Sequence, residues 1–236
     1  MQTQTGTHDL ALTQARQQAS TVFLAKVFNW MAIGLAITGA VAYYVAASGM
    51  ALMIAKPIFI GLMLVELGMV FFLSARIERI QPATATGLFV VYSALNGVTL
   101  SIIFLIYTHA SIAATFLVTA GMFAAMAVYG MVTKRDLSGL GSFMFMGLIG
   151  IILASVVNWF LQSPALGWGI SAIGVLVFVG LTAYDVQKIK NIGEQGIMSQ
   201  GDGAIRKGAI IGALALYLDF INLFLMLLRF FGGSRD

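Results

Sequence analysis

Three acidic residues fall inside long apolar runs, where an ionisable group is expensive and is a functional candidate by default. Glu66 lies at the middle of a run that starts at Pro57. Asp219 lies at the middle of a run that starts at Gly208. Asp185 lies toward the end of a third, within Ala183-Tyr184-Asp185-Val186-Gln187-Lys188-Ile189-Lys190. The other acids, Asp9, Glu78, Asp136, Glu194, Asp202 and Asp236, fall in loops or tails and read as solvated. Carboxylates in a low dielectric offer two kinds of chemistry. Two held close cannot both stay charged, so one binds a proton and they titrate as a pair, which makes a pH switch. Their oxygens are also hard ligands for divalent cations, and Glu66 and Asp219 without a dedicated cage would bind one weakly.

Asp219 sits on a patterned helix. Gly208, Gly212, Ala215, Asp219 and Asn222 recur at spacings of four, three, four and three, which puts them on one face. That face is small or polar, and the rest of the run is leucine and phenylalanine, so the helix is expected to be surrounded by others with this stripe lining a close contact or a cavity. The blander reading is a small-residue packing seam with Asp219 as an interhelical hydrogen-bonding partner. For Asp185 the blander reading is an interfacial acid balanced by Lys188, and for Glu66 a structural polar network. Arg76 is ten residues beyond Glu66 on the same helix, about 15 Å along its axis, so these two do not meet; Arg76 is placed to reach Asp185 instead. Asp219 lies roughly 16 Å into its expected helix while Asp185 lies much nearer a membrane face, so hydropathy alone does not bring that pair together.

The elements that must position these groups follow from composition. Of the 236 residues, 60% are hydrophobic and 9% charged, against roughly 45–50% and 25% in soluble domains, so the bilayer is the expected solvent. A helix crosses a hydrocarbon core of about 30 Å with roughly 20 apolar residues. Seven segments qualify, at about 23–46, 57–75, 87–107, 111–132, 140–161, 167–189 and 208–231. The expected fold is an all-α polytopic integral membrane protein: a polar cytoplasmic tail over 1–22, one seven-helix domain over 23–232, and a short tail over 233–236. The absence of period-two alternation argues against a β-barrel. The first twenty residues lack the apolar core of a cleaved signal peptide, so the first helix is expected to serve as its own insertion signal.

Charge sets the expected orientation. Arg16, Lys26, Arg76, Arg79, Lys134, Arg135, Lys188, Lys190, Arg206 and Lys207 fall on one side, and Lys56, Arg229 and Arg235 on the other. The richer side is cytoplasmic by the positive-inside rule, which places the N-terminus inside. Tyr43, Tyr44, Tyr107, Trp159 and Trp168 then fall at outer helix ends, and Trp30 near an inner end. Arg229 and Arg235 sit awkwardly outside. A seventh segment that dips in and returns would relieve that, but its long run has no central proline or glycine to turn it, so a full crossing is expected. With no cysteine, thiolate sites are excluded; His8 and His109 have no metal-ligand spacing, and no phosphate-binding P-loop is present.

Leu216-Tyr217-Leu218-Asp219-Phe220-Ile221-Asn222-Leu223-Phe224, followed by Leu227-Leu228-Arg229-Phe230-Phe231-Gly232, resembles the hallmark of the transmembrane Bax inhibitor motif family, whose bacterial members include YccA- and YbhL-like proteins. Tyr184-Asp185 with Gln187-Lys188-Ile189-Lys190 is similar to that family's sixth-helix motif, and the resemblance runs from about Phe23 to the C-terminus. It implies a seventh helix surrounded by the other six, residence in the inner (plasma) membrane, and a calcium leak controlled by protonation of an aspartate pair, here Asp185 and Asp219. Glu66 matches the family's mid-membrane glutamate on the ion path. An arginine is implied to engage Asp185, with Arg76 and Arg79 both candidates. The linker before the seventh helix is long for the family.

The expected activity is a pH-sensitive calcium leak channel in which the seventh helix plugs the path, with Asp185 and Asp219 as pH sensor and Glu66, Arg76 and Asn222 along the gate and ion path. No enzyme activity or cofactor is expected, calcium being the transported ion. The alternative is an interaction protein that modulates a membrane quality-control protease or a stress or cell-death response; loss of partner control on removing residues 1–20, with ion flux retained, would identify it. Intramembrane aspartyl proteolysis is disfavoured, because Leu216-Tyr217-Leu218-Asp219 replaces the Gly-x-Gly-Asp expected there.

Overall fold

The structure is a computed structural model that describes the backbone of residues 2–233 and the side chains of residues 14–233. His8, Asp9, Arg235 and Asp236 lie outside the described side chains. The regular elements are helices: α1 Gln2–Ala47, α2 Lys56–Arg76, α3 Pro82–Leu100, the short α4 Ile103–Ile106, α5 His109–Val132, α6 Ser138–Leu161, α7 Pro164–Glu194 and α8 Asp202–Phe231. In lipid the backbone must satisfy its own hydrogen bonds, which long apolar runs do as helices. Among the described residues, seven spans are long and apolar enough to cross a membrane, α3 and α4 together forming one of them.

Local chemistry explains where they start and stop. The three prolines, Pro57, Pro82 and Pro164, all sit in the first turn of a helix, where the missing N–H costs nothing. Thr108 and Ser163 cap α5 and α7 by accepting from the backbone N–H of Ser111 and Leu166. Gly49 ends α1 at φ 76°. The expected polar linker 190–207 is largely helical instead: α7 continues to Glu194 and α8 begins at Asp202. Lys190 Nζ donates to the Met131 carbonyl at 2.9 Å and pairs with Glu194 at 3.7 Å, so the polar turns that project past the apolar run are tied down. What remains of the linker is a tight turn around Ile197–Ser199, framed by Gly196 and Gly201 at φ 91° and 87°. Likewise α1 begins at Gln2, twenty-odd residues before its apolar run, so residues 2–22 of the expected tail are the start of this helix.

The α8 helix is the centre of the bundle. It packs against α1, α3, α5 and α7, whereas α2 rests mainly on α3 and α6 mainly on α7. Leu216, Tyr217 and Leu223 of α8 are fully buried. Its two ends are pinned at opposite ends of the molecule. Near its start, Arg206 donates to Thr86 and Lys207 to the Glu78 carbonyl, at the α2–α3 connection. Past its end, Gly233 N–H donates to Ser111 Oγ and the Gly233 carbonyl accepts from Thr108 N–H, at the α4–α5 connection. These connections lie on either side of the third span, so α8 traverses the whole bundle and does not turn back. Arg229, the awkward outer cation, lies over Gly167 in the first turn of α7. At the opposite end, hydrogen bonds from Ser138 to the Asp136 carboxylate, in the α5–α6 loop, hold its pKa below the usual carboxylate range.

Candidate functional site

The small and polar stripe of α8 lines two cavities. The larger, about 1140 Å³, is bounded by α2, α6, α7 and α8 and receives Ala215, Asp219 and Asn222 from the stripe. Glu66 of α2, Tyr92 of α3, and Asp185 and Lys188 of α7 join them. The smaller, about 430 Å³, lies toward the α7–α8 linker and receives Gly208, Gly212 and Ala215. Asp185, Lys188 and Ala215 line both, so they form the partition between them.

Packing decides how Asp185 comes to face the same space as Asp219. Along the antiparallel α7–α8 pair, Gly167 lies against Arg229, Gly174 against Met226, and Ile189 against Gly212. Continuing that register puts Asp185 level with Ala215, one helical turn or about 6 Å from Asp219 along the axis. The sequence estimate of a much larger offset took the end of each apolar run as the helix end; both helices extend past it. Asp219 is 4% exposed and its Oδ2 has no hydrogen-bond partner among the described residues. Its carboxylate feels the charge of Asp185. Leaving such an oxygen unsatisfied costs about 1–3 kcal/mol, so a packing seam alone does not account for it.

The other named residues separate. Glu66 accepts a hydrogen bond from Thr99 at 2.9 Å and is half-buried. Asn222 donates Nδ2 to the Leu218 carbonyl of its own helix. Arg76 and Arg79 are exposed, and among the described residues neither forms an ion pair with Asp185. The expected arginine contact is therefore corrected: the cation acting on Asp185 is Lys188, three residues along α7, because Arg76 ends a helix that leans on α3 and not on α7. Among the described residues no three acidic or histidine side chains converge as metal ligands.

A polar network beside the cavity was not foreseen. Thr38 Oγ1 lies 2.9 Å from the Gly34 carbonyl, 2.8 Å from the Ser93 carbonyl and 2.7 Å from Tyr217 Oη. The threonine has one proton, directed at the carbonyls, so Tyr217 donates to Thr38. The Tyr217 ring stands edge-on to Tyr92, 5.7 Å away, and Tyr92 accepts from Asn96. The spacing of Ser93, Asn96 and Thr99 along one helical face was the available signal. Tyr217→Phe is expected to cost about 1 kcal/mol in a detergent unfolding titration; unchanged stability would show that the hydroxyl contributes nothing. Gln187 and Lys190 also have structural work: Gln187 joins Leu137 N–H to the Arg135 carbonyl, and Lys190 reaches Met131, so both hold the α5–α6 loop.

Comparison with known proteins finds relatives along nearly the whole chain. A family model described as inhibitor of apoptosis-promoting Bax1 matches residues 20–236. The chain is 55% identical over 228 residues to the inner membrane protein YbhL of Escherichia coli K12, covering 95% of this chain and 97% of that one. It is 48% identical to an uncharacterized protein of Borreliella burgdorferi, covering 95% and 98%, and 46% identical to one of Deinococcus radiodurans, covering 96% and 97%.

Proposed function

The chain belongs to the Bax inhibitor family of membrane proteins, and from that premise we propose that it is a pH-sensitive calcium leak channel of the bacterial inner membrane, gated by Asp185 and Asp219. The observation that carries the reading is the orphan Oδ2 of Asp219, held in a membrane-depth cavity beside a second carboxylate. A buried acid with no partner is a site of proton exchange or cation passage by default. Inner-membrane residence rests on the likeness to YbhL, and the inward-facing N-terminus on the distribution of lysine and arginine.

In this mechanism the partition formed by Asp185, Lys188 and Ala215 is the barrier between the two cavities. When the aspartates share a proton, α8 and α7 stay close and the partition is shut. When both are charged, like-charge repulsion in a low dielectric favours separation and offers calcium a pair of oxygens in passing. Glu66 and Asn222 line the membrane-depth cavity beyond the partition. The charged and titratable neighbours that set the balance are Lys188 and Tyr184 on α7, Tyr92 on α3 and Glu66 on α2. The favoured direction is therefore greater flux as pH rises.

The test is calcium flux into liposomes across a pH series for the wild type, Asp219→Asn and Asp185→Asn. Wild-type flux is expected to change about tenfold across the series, what a shift of about 1.4 kcal/mol in an open–closed equilibrium delivers, and both variants are expected to lose the response. Identical flux and pH response in all three proteins would remove the aspartate switch.

A further inference from the structure

We propose that the cavity between α2 and α6 is a binding site for a single-chain amphiphile with a cationic amine head, drawn from the bilayer. The inference stands on the walls and floor of the cavity and does not depend on the calcium reading.

The cavity opens at membrane depth. Its two outer walls, α2 and α6, pack on different partners, α3 and α7, and make no substantial contact with each other. The residues they contribute include Met63, Leu67, Phe145 and Ile152, which are at least 45% exposed and wholly apolar. A molecule travelling in the acyl-chain region therefore meets a slot whose α2 and α6 walls are mostly apolar, with the hydroxyls of Ser74 and Ser142 as exceptions. At about 1140 Å³ the space is as large as the upper end of the usual 300–1,000 Å³ for small-molecule sites.

The floor of that slot is acidic. Asp219 presents a nine-tenths-buried carboxylate with an unpartnered oxygen, and Glu66 and Asn222 line the same space. Among the described residues the cavity's one cation is Lys188, exposed and placed to act on Asp185, so the Asp219–Glu66 end presents carboxyl oxygens with no basic side chain beside them. A resident divalent ion would need several ligands converging at short distance, and no such group of three exists among the described residues. A primary ammonium needs only two or three acceptors at hydrogen-bond range, with no fixed coordination geometry. The mostly apolar remainder of the cavity suits one hydrocarbon chain. Fatty anions and phospholipids carry a carboxylate or phosphate, for which the Asp219–Glu66 end offers no basic side chain.

The experiment uses the full chain in a neutral maltoside detergent without calcium, with radiolabelled dodecylamine as probe and dodecanol and dodecanoate as competitors. Saturable binding of dodecylamine is expected, with both competitors weaker by about tenfold or more. Asp219→Asn is expected to weaken dodecylamine by about tenfold, and so is Met63→Trp, which fills the slot without touching an acid; Asp136→Asn, in an exposed loop, should bind as the wild type does. Dodecanol binding as well as dodecylamine would overturn the proposal in favour of simple partitioning, as would unchanged binding by Met63→Trp or by folded Asp219→Asn. Loss of the aspartate pH response in flux, with amine binding intact, would refute the channel reading alone.

Discussion

Asp219→Leu is expected to make the protein more stable and to abolish the proposed calcium flux. In a soluble core an acid is usually retained because it is paired, and removing one partner is costly. Asp219 is different: its Oδ2 has no partner, and the like charge of Asp185 stands beside it. Leucine removes an unsatisfied polar atom, ends the repulsion, and has room to extend into the adjoining cavity. The gain is expected to be about 1–3 kcal/mol, the usual penalty of an unsatisfied buried group. Unfolding titrations in mixed detergent would measure it, with liposome flux read on the same preparation. A variant that unfolds more easily than the wild type would mean that Asp219 is held by a stabilising interaction and is not a tolerated functional cost. Stability gained where function is lost is the pattern expected of a residue kept for its chemistry.

Gly130→Ala is expected to be among the most damaging single-methyl additions in the chain. Gly130 of α5 lies directly against the backbone carbonyl of Ala183 in α7, so an added Cβ meets an atom that no rotamer change can move. The two helices must part, at a cost toward or above the upper end of about 1–3 kcal/mol for overpacking. The displacement falls two residues before Asp185, so altered pH dependence of flux should accompany the loss of stability. Gly121→Ala on the same helix is the control. Nothing lies near its added methyl group, and replacing a mid-helix glycine is expected to stabilise by about 0.5–1 kcal/mol. Equal effects of the two substitutions, read as detergent-unfolding midpoints, would contradict the close α5–α7 approach.

Much of the architecture was legible because the bilayer leaves the chain few options. An apolar run of about twenty residues has to be a helix, and each of the seven was found within a few residues of its expected bounds except where polar turns extend it. The stripe from Gly208 to Asn222 was legible for a similar reason. A helix buried on nearly every side shows its functional face only by small or polar exceptions, and in the structure that face does line the cavities. The extensions were not legible, because hydropathy marks the end of the apolar run and not of the helix. Lys190 and Glu194 continue α7 through their own contacts with each other and with Met131. The arginine partner of Asp185 was misplaced because spacing along one helix says nothing about which neighbour that helix leans on.

The bilayer as solvent, the seven helices, the central place of the last one and the acids within the spans could all be read from the chain, since each follows from the cost of exposing polar groups to lipid, which is counted residue by residue. The folded bundle alone shows which acids share a space, that α2 and α6 stand apart around it, that Tyr217 closes a network with Thr38, and that Lys188 rather than Arg76 is the cation acting on Asp185. Those are matters of register between helices. Register is set by where glycines let backbones touch, as at Gly130 and Gly97, and such a contact has two sides, only one of which is written at any position in the chain.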